Sequence, residues 1–137
     1  MQEFKDLLAI YKNKIEKSVN LISEKELKIY ENKMEVKFGY QLSYYILNFG
    51  YLALNHIELL GINSKQNFES DMVRTTNNLH SDFAETKNLI AIYKTTDNVY
   101  YLVDKDDFVY RFDNVLLKKE PLNINMICFI KDLFLNA

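Results

Sequence analysis

The sequence predicts an α+β fold, an antiparallel sheet with helices packed on one face. Three observations carry this. Apolar residues in the first half recur at helical spacing, as in Phe4, Leu7, Leu8, Tyr11 and Ile15. From Leu89 the pattern switches to three runs of strand character, LIAIY, VYYLV and FVYRF. The connections between these runs, TTDN and DKDD, are too short for parallel crossovers and fit a meander.

Taken in order, residues 2–18 read as a first helix. Ser23-Glu24-Lys25-Glu26 is a capping-box pattern that starts a second, with Leu27, Tyr30 and Met34 on one face. A third spans Tyr40 to Asn48. Gly50 follows it as a left-handed stop. A short loop and a strand at Ile57-Glu58-Leu59 come next, ended by Gly61. Residues 69–80, ESDMVRTTNNLH, read as a short helix. Pro121 ends the meander, and Ile127, Ile130, Leu133 and Phe134 mark a closing amphipathic helix. With no repeat, linker or low-complexity tract, residues 1–137 are expected to form a single domain.

Composition narrows the function. The chain is 48% hydrophobic and 26% charged, ordinary for a globular protein. A net charge of −2 gives no general attraction for nucleic acid. Asn48, Asn55, His56 and Glu58 interrupt the most apolar run, YYILNFGYLALNHIELLGI, so no membrane span is expected. The first residues lack the pattern of a signal peptide. Cytoplasmic location is the expectation, and the lone Cys128 suits it. The 15 Lys against Arg74 and Arg111, with abundant Asn, suggest an AT-rich bacterial or phage genome.

Signatures of chemistry are missing. Gly39, Gly50 and Gly61 lie eleven apart and build no phosphate-cradling loop. His56 and His80 have no partner at metal-ligand spacing. Cys128 lies toward the apolar side of the last helix and reads as a buried core thiol. The run from Asp104 resembles a calcium loop, but Val109 and Val115 stand where Gly and Glu are required. Glu24, Glu26 and Glu31 read as a solvated helix face. No enzyme activity, metal or cofactor is expected.

Four stretches, in order, resemble the SUKH superfamily. They are VKFGYQLSYYILNFGYL (36–52), NHIELLGI (55–62), DMVRTTNNL (71–79) and LIAIYKTTDNVYYLVDKDDFVYRFD (89–113). The resemblance covers about residues 23–135. Phe38-Gly39 stands where the family has Leu-Pro, and Asp107-Phe108 where a turn glycine is usual. Members are small α+β proteins that include bacterial immunity proteins and a yeast regulator of cell-wall synthesis. The resemblance implies a non-catalytic protein that binds and neutralises a protein toxin, often a nuclease and often encoded beside it. A regulatory scaffold acting on an endogenous partner is the alternative.

Strand register then nominates a partner surface. If Val103 pairs with Phe108, Tyr101 with Tyr110 and Val99 with Phe112, those six form an apolar inner face. On the same turn lengths Ile92 meets Tyr101 and Ile90 meets Val103. Tyr93, Tyr100 and Arg111 then share one row on the opposite face, with the acidic residues Asp104, Asp106 and Asp107 at its edge. Tyr and Arg are enriched at binding hot spots. The competing reading is that another segment, such as the last helix, covers this row.

Overall fold

The computed structural model describes residues 1–63 and 71–137. Helix α1 (Gln2–Ile10) buries Phe4 and Leu7. It is shorter than expected. After a turn the chain enters strand β1 (Ile15–Lys17), which pairs antiparallel with β2 (Leu52–Leu54). Ile15 fits a helical spacing, but its partner is Leu54, 39 positions away in the chain, and that long-range pairing overrides the local pattern. β2 also replaces the loop expected after Gly50. It turns at Asn55 (φ 53°) and pairs with β3 (Ile57–Glu58), giving a sheet of order β1-β2-β3.

Helix α2 (Glu24–Met34) begins as the sequence predicts. Ser23 accepts from Glu26 N, and the Glu26 carboxylate accepts from Ser23 N, so two orphan N–H groups are satisfied. Helix α3 (Tyr40–Phe49) buries Leu42, Tyr45, Ile46 and Phe49. Gly50 stops it at φ 72°, a conformation glycine adopts without a Cβ penalty. The fully buried Tyr45 donates its hydroxyl to Leu60 O at 2.6 Å, and burial pushes its pKa far up.

Helix α4 (Met72–Asp82) is capped by the Asp71 carboxylate, which accepts from Val73 N at 2.9 Å. The expected start of this helix at Glu69 lies outside the described residues. Four antiparallel strands follow in the order β4 (Ile90–Lys94), β5 (Val99–Val103), β6 (Phe108–Asp113) and β7 (Lys118–Asn125). Pro121 does not end the sheet; it sits within β7. That strand lies at the sheet edge, where a missing N–H is tolerated. Helix α5 (Met126–Leu135) closes the chain, capped by Asn125 Oδ1 accepting from Cys128 N at 3.0 Å.

The α+β class and the antiparallel pairing are observed. Helical coverage, expected on one face, extends to both. Phe129 of α5 packs 4.8 Å from the Tyr101 ring, while Phe83, which ends α4, packs 5.2 Å from Phe112 on the other side. Leu60 N donates to Ile92 O at 2.9 Å and ties the two sheets together. Cys128 is exposed, not buried as expected, because α5 turns Met126, Ile127, Phe129, Ile130 and Phe134 inward.

Candidate functional site

The nominated surface depends on register, and the register differs from expectation by one residue. Asp107 takes a left-handed conformation (φ 66°) and closes a three-residue loop. Its N–H donates to Asp104 O at 3.0 Å, and Asp104 N donates to Phe108 O at 3.1 Å. Val103 therefore pairs with Val109, Tyr101 with Arg111 and Tyr100 with Phe112. A shift of one residue turns every side chain of one strand to the other face. Phe108, expected in the core, is 49% exposed. In β4 an irregularity between Ala91 and Tyr93 places Tyr93, not Ile92, opposite Tyr101, while Ile90 meets Val103 as expected.

The expected row is thereby split and replaced. Tyr93 and Arg111 do share a face, but Tyr101 stands between them. Arg111 in turn faces Glu120 of β7, so the row across all four strands is Tyr93, Tyr101, Arg111 and Glu120. Tyr93 and Tyr101 stack at 6.0 Å, and both rings rest on Phe129, at 6.4 and 4.8 Å. All four row residues are half-buried: α5 supports the aromatic ones from one side and part of each remains open. Burial raises the Tyr93 pKa, helped by Tyr101, so the phenol stays neutral. Glu120 also pairs with Lys118 at 3.3 Å, an exposed contact of little energetic weight.

Tyr100 points the other way. Lys94 Nζ lies 5.7 Å over its ring, and both line a cleft of about 200 Å³ with Thr75, Asn78 and Asp82 of α4.

The three acidic residues divide by role. Asp107 is 5% exposed and serves the fold. Its carboxylate accepts from Gln41 N at 2.9 Å and Leu42 N at 3.0 Å, capping α3, and its carbonyl accepts from Met126 N at 2.8 Å, where α5 begins. Burial pushes its pKa above the ordinary value, against the two N–H donors and with the help of Asp104 and Asp106. Asp104 is half-buried. Its Oδ1 accepts from Asp106 N and Phe108 N, and its Oδ2 accepts from the Tyr110 hydroxyl at 3.3 Å. Asp106 is exposed. Asp104 and Asp106 line a groove of about 440 Å³ with Glu35, Val36, Lys37 and Lys105. Asp104 lies three residue steps beyond Tyr101, roughly 10 Å along the strand.

Elsewhere, Glu31 is more than a solvated carboxylate, since its Oε2 accepts from Phe38 N at 2.8 Å. His56 is exposed, and His80 hydrogen-bonds through Nε2 to Leu89 O at 2.8 Å. Among the described residues, no three His, Cys, Asp or Glu side chains converge as a metal site requires, and no helix is long and apolar enough to cross a membrane. The arrangement offers recognition chemistry: two supported phenol rings, a guanidinium and a carboxylate in line on a rigid sheet.

A search of curated proteins gives no match. A family model described as SMI1-KNR4 cell-wall, SUKH_5, matches residues 1–135, from α1 to the last residue of α5. A match over nearly the whole chain, on an α+β fold of the expected class, places this protein in the SMI1-KNR4 (SUKH) family.

Proposed function

We propose that this protein is an immunity protein: it binds a partner bacterial toxin, delivered by cell contact, and neutralises it by covering the toxin's active site or substrate path. It acts as a single domain in the cytoplasm, without a cofactor and without catalysis, and touches neither nucleic acid nor membrane itself. A nuclease is one kind of toxin that such occlusion would silence.

The row Tyr93, Tyr101, Arg111 and Glu120 carries this reading. Large, pre-positioned aromatic rings and an arginine are the side chains that most often anchor protein interfaces. Support from Phe129 lowers the ordering cost on binding. Asp104 and Asp106 stand at the hairpin end beyond the row, with Asp104 bonded to Tyr110 on the opposite face, and their charge there favours a basic partner surface. Tyr100 and Asp107 support the fold in this reading and do not contact the toxin.

The family description, which names the cell wall, keeps a second reading in view, a regulatory scaffold for an endogenous partner. Titration against a purified toxin domain, sought first in the genes beside this one, separates the two. Under the immunity reading that domain binds and loses its activity. Tyr101→Ala and Arg111→Ala each cost about 2 kcal/mol of binding while the protein stays folded. Absence of binding by the wild-type protein would remove the immunity reading.

A further inference from the structure

The connection between β6 and β7 runs against the usual chemistry of a hairpin tip. Such tips favour Gly, Asn, Asp, Ser and Pro. Here Val115, Leu116 and Leu117 stand in succession at 69, 71 and 57% exposure. They are also held in place. The Asp113 carboxylate accepts from Val115 N and Leu116 N, both at 2.9 Å, and Asn114 N donates to Asn98 O at 3.1 Å on the neighbouring turn. Leu117 sits at φ 55°, a left-handed conformation uncommon for a non-glycine residue and concentrated at functional sites. Three apolar side chains are thus displayed on a braced, convex turn, and the exposed lysines Lys118 and Lys119 follow directly.

We propose that this tip is an insertion element that seats in an apolar pocket of the protein partner. The inference rests on the immunity reading and extends it by giving the chemistry of the surface the partner must present. Continuity supports it. Asp113 pairs with Lys118, and two residues further from the tip Arg111 pairs with Glu120, so the tip prolongs the row on the same two strands. Lipid is the poorer occupant. The Asp113 carboxylate, its pKa lowered by the two N–H groups, stands as a negative charge at the base of the tip, with Asp97 on the adjoining turn. A second copy of this chain is also poorer. Three side chains fall far short of the roughly 800 Å² per partner that a stable interface buries.

The test uses the full chain and the same purified toxin domain. Leu116→Asp places a charge at the tip. At 71% exposure it is expected to leave thermal stability unchanged. It should weaken binding by at least about 30-fold, while Leu116→Met stays within about 3-fold of wild type. If Leu116→Asp binds as wild type while Tyr101→Ala loses affinity, the tip proposal falls and the immunity reading stands. If the wild-type protein does not bind the toxin domain, both fall. Vesicles of phosphatidylcholine and phosphatidylglycerol test the lipid alternative. Co-sedimentation with them that Leu116→Asp abolishes would overturn the proposal. A dimer in light scattering that Leu116→Asp converts to monomer would overturn it in favour of self-association.

Discussion

Gly39 and Asp107, far apart in sequence, meet so closely that a Cβ on residue 39 would run into the Asp107 carboxylate, 2.6 Å from its Cγ. The glycine opens the N-terminus of α3, and the aspartate enters that opening to receive two helix N–H groups. Loop and helix are thereby locked together. This is a device of packing and capping, which is why an acidic residue beside a candidate interface is buried.

Gly39→Ala is expected to destabilise the protein by about 1–3 kcal/mol, through displacement of the cap and overpacking. The backbone at Gly39 (φ −71°, ψ 172°) suits alanine, and at such sites Gly→Ala ordinarily stabilises by about 0.4–1 kcal/mol. A loss therefore isolates the collision. Asp107→Ala should cost a similar amount, and the double variant should cost less than the sum, because both break one contact. Urea denaturation of the three variants checks this; full additivity would mean that the two residues act separately.

The same carboxylate gives a pH dependence of unusual sign. Burial raises the Asp107 pKa above the ordinary 3.8, so its contribution to stability is fully present below that value and is lost as pH rises through the folded pKa. Asp113 is lowered by hydrogen bonds from Leu116 and Val115, so its contribution is present above 3.8 and is lost as pH falls through its folded pKa. Denaturation curves across the acid range should show the stability difference, wild type minus Asp107→Asn, falling with rising pH just above 3.8. The difference for Asp113→Asn should rise with pH just below that value. Parallel curves for either variant would count against its assignment.

What the sequence made legible was local. The Ser23–Glu26 capping box and the Gly50 stop each rest on a few neighbouring residues, and each is present. Long-range pairing was not legible. Nothing near Ile15 says that Leu54 will be its partner, so β1 was hidden in a helical spacing and β2 in a loop. The site was half legible for a finer reason. Any aspartate of DKDD can adopt the left-handed conformation, and the one that does, Asp107, fixes the register. With a three-residue loop assumed, Tyr101 would have taken the place of Tyr100. Glu120 stays out of reach because Pro121, in sequence, marks the end of the sheet.

Cys128 offers a direct check on the rotation of α5. The residue is exposed in the folded chain. Its thiol should react with a disulfide reagent such as DTNB in native buffer, at a rate close to that in denaturant, with one equivalent released per chain. Protection in native buffer, lifted only by unfolding, would mean that α5 presents a different face to the sheet.

Register itself can be tested by stability at two adjacent residues. With Asp107 closing a three-residue loop, Val109 pairs with Val103 and is fully buried, while Phe108 is 49% exposed. Val109→Ala removes two buried methylene equivalents and leaves a small cavity, a cost of about 2 kcal/mol. Phe108→Ala removes a larger side chain, yet from a surface position, and should cost less than about 1 kcal/mol. A four-residue loop would reverse the order, because Phe108 would then face Val103 in the core. The comparison bears on function as well as fold, since the loop that turns Phe108 outward is the one that brings Arg111 beside Tyr101. If Phe108→Ala proves the more damaging change, the row Tyr93, Tyr101, Arg111 and Glu120 does not exist as a surface, and the binding tests at Tyr101 would have to move to Tyr100.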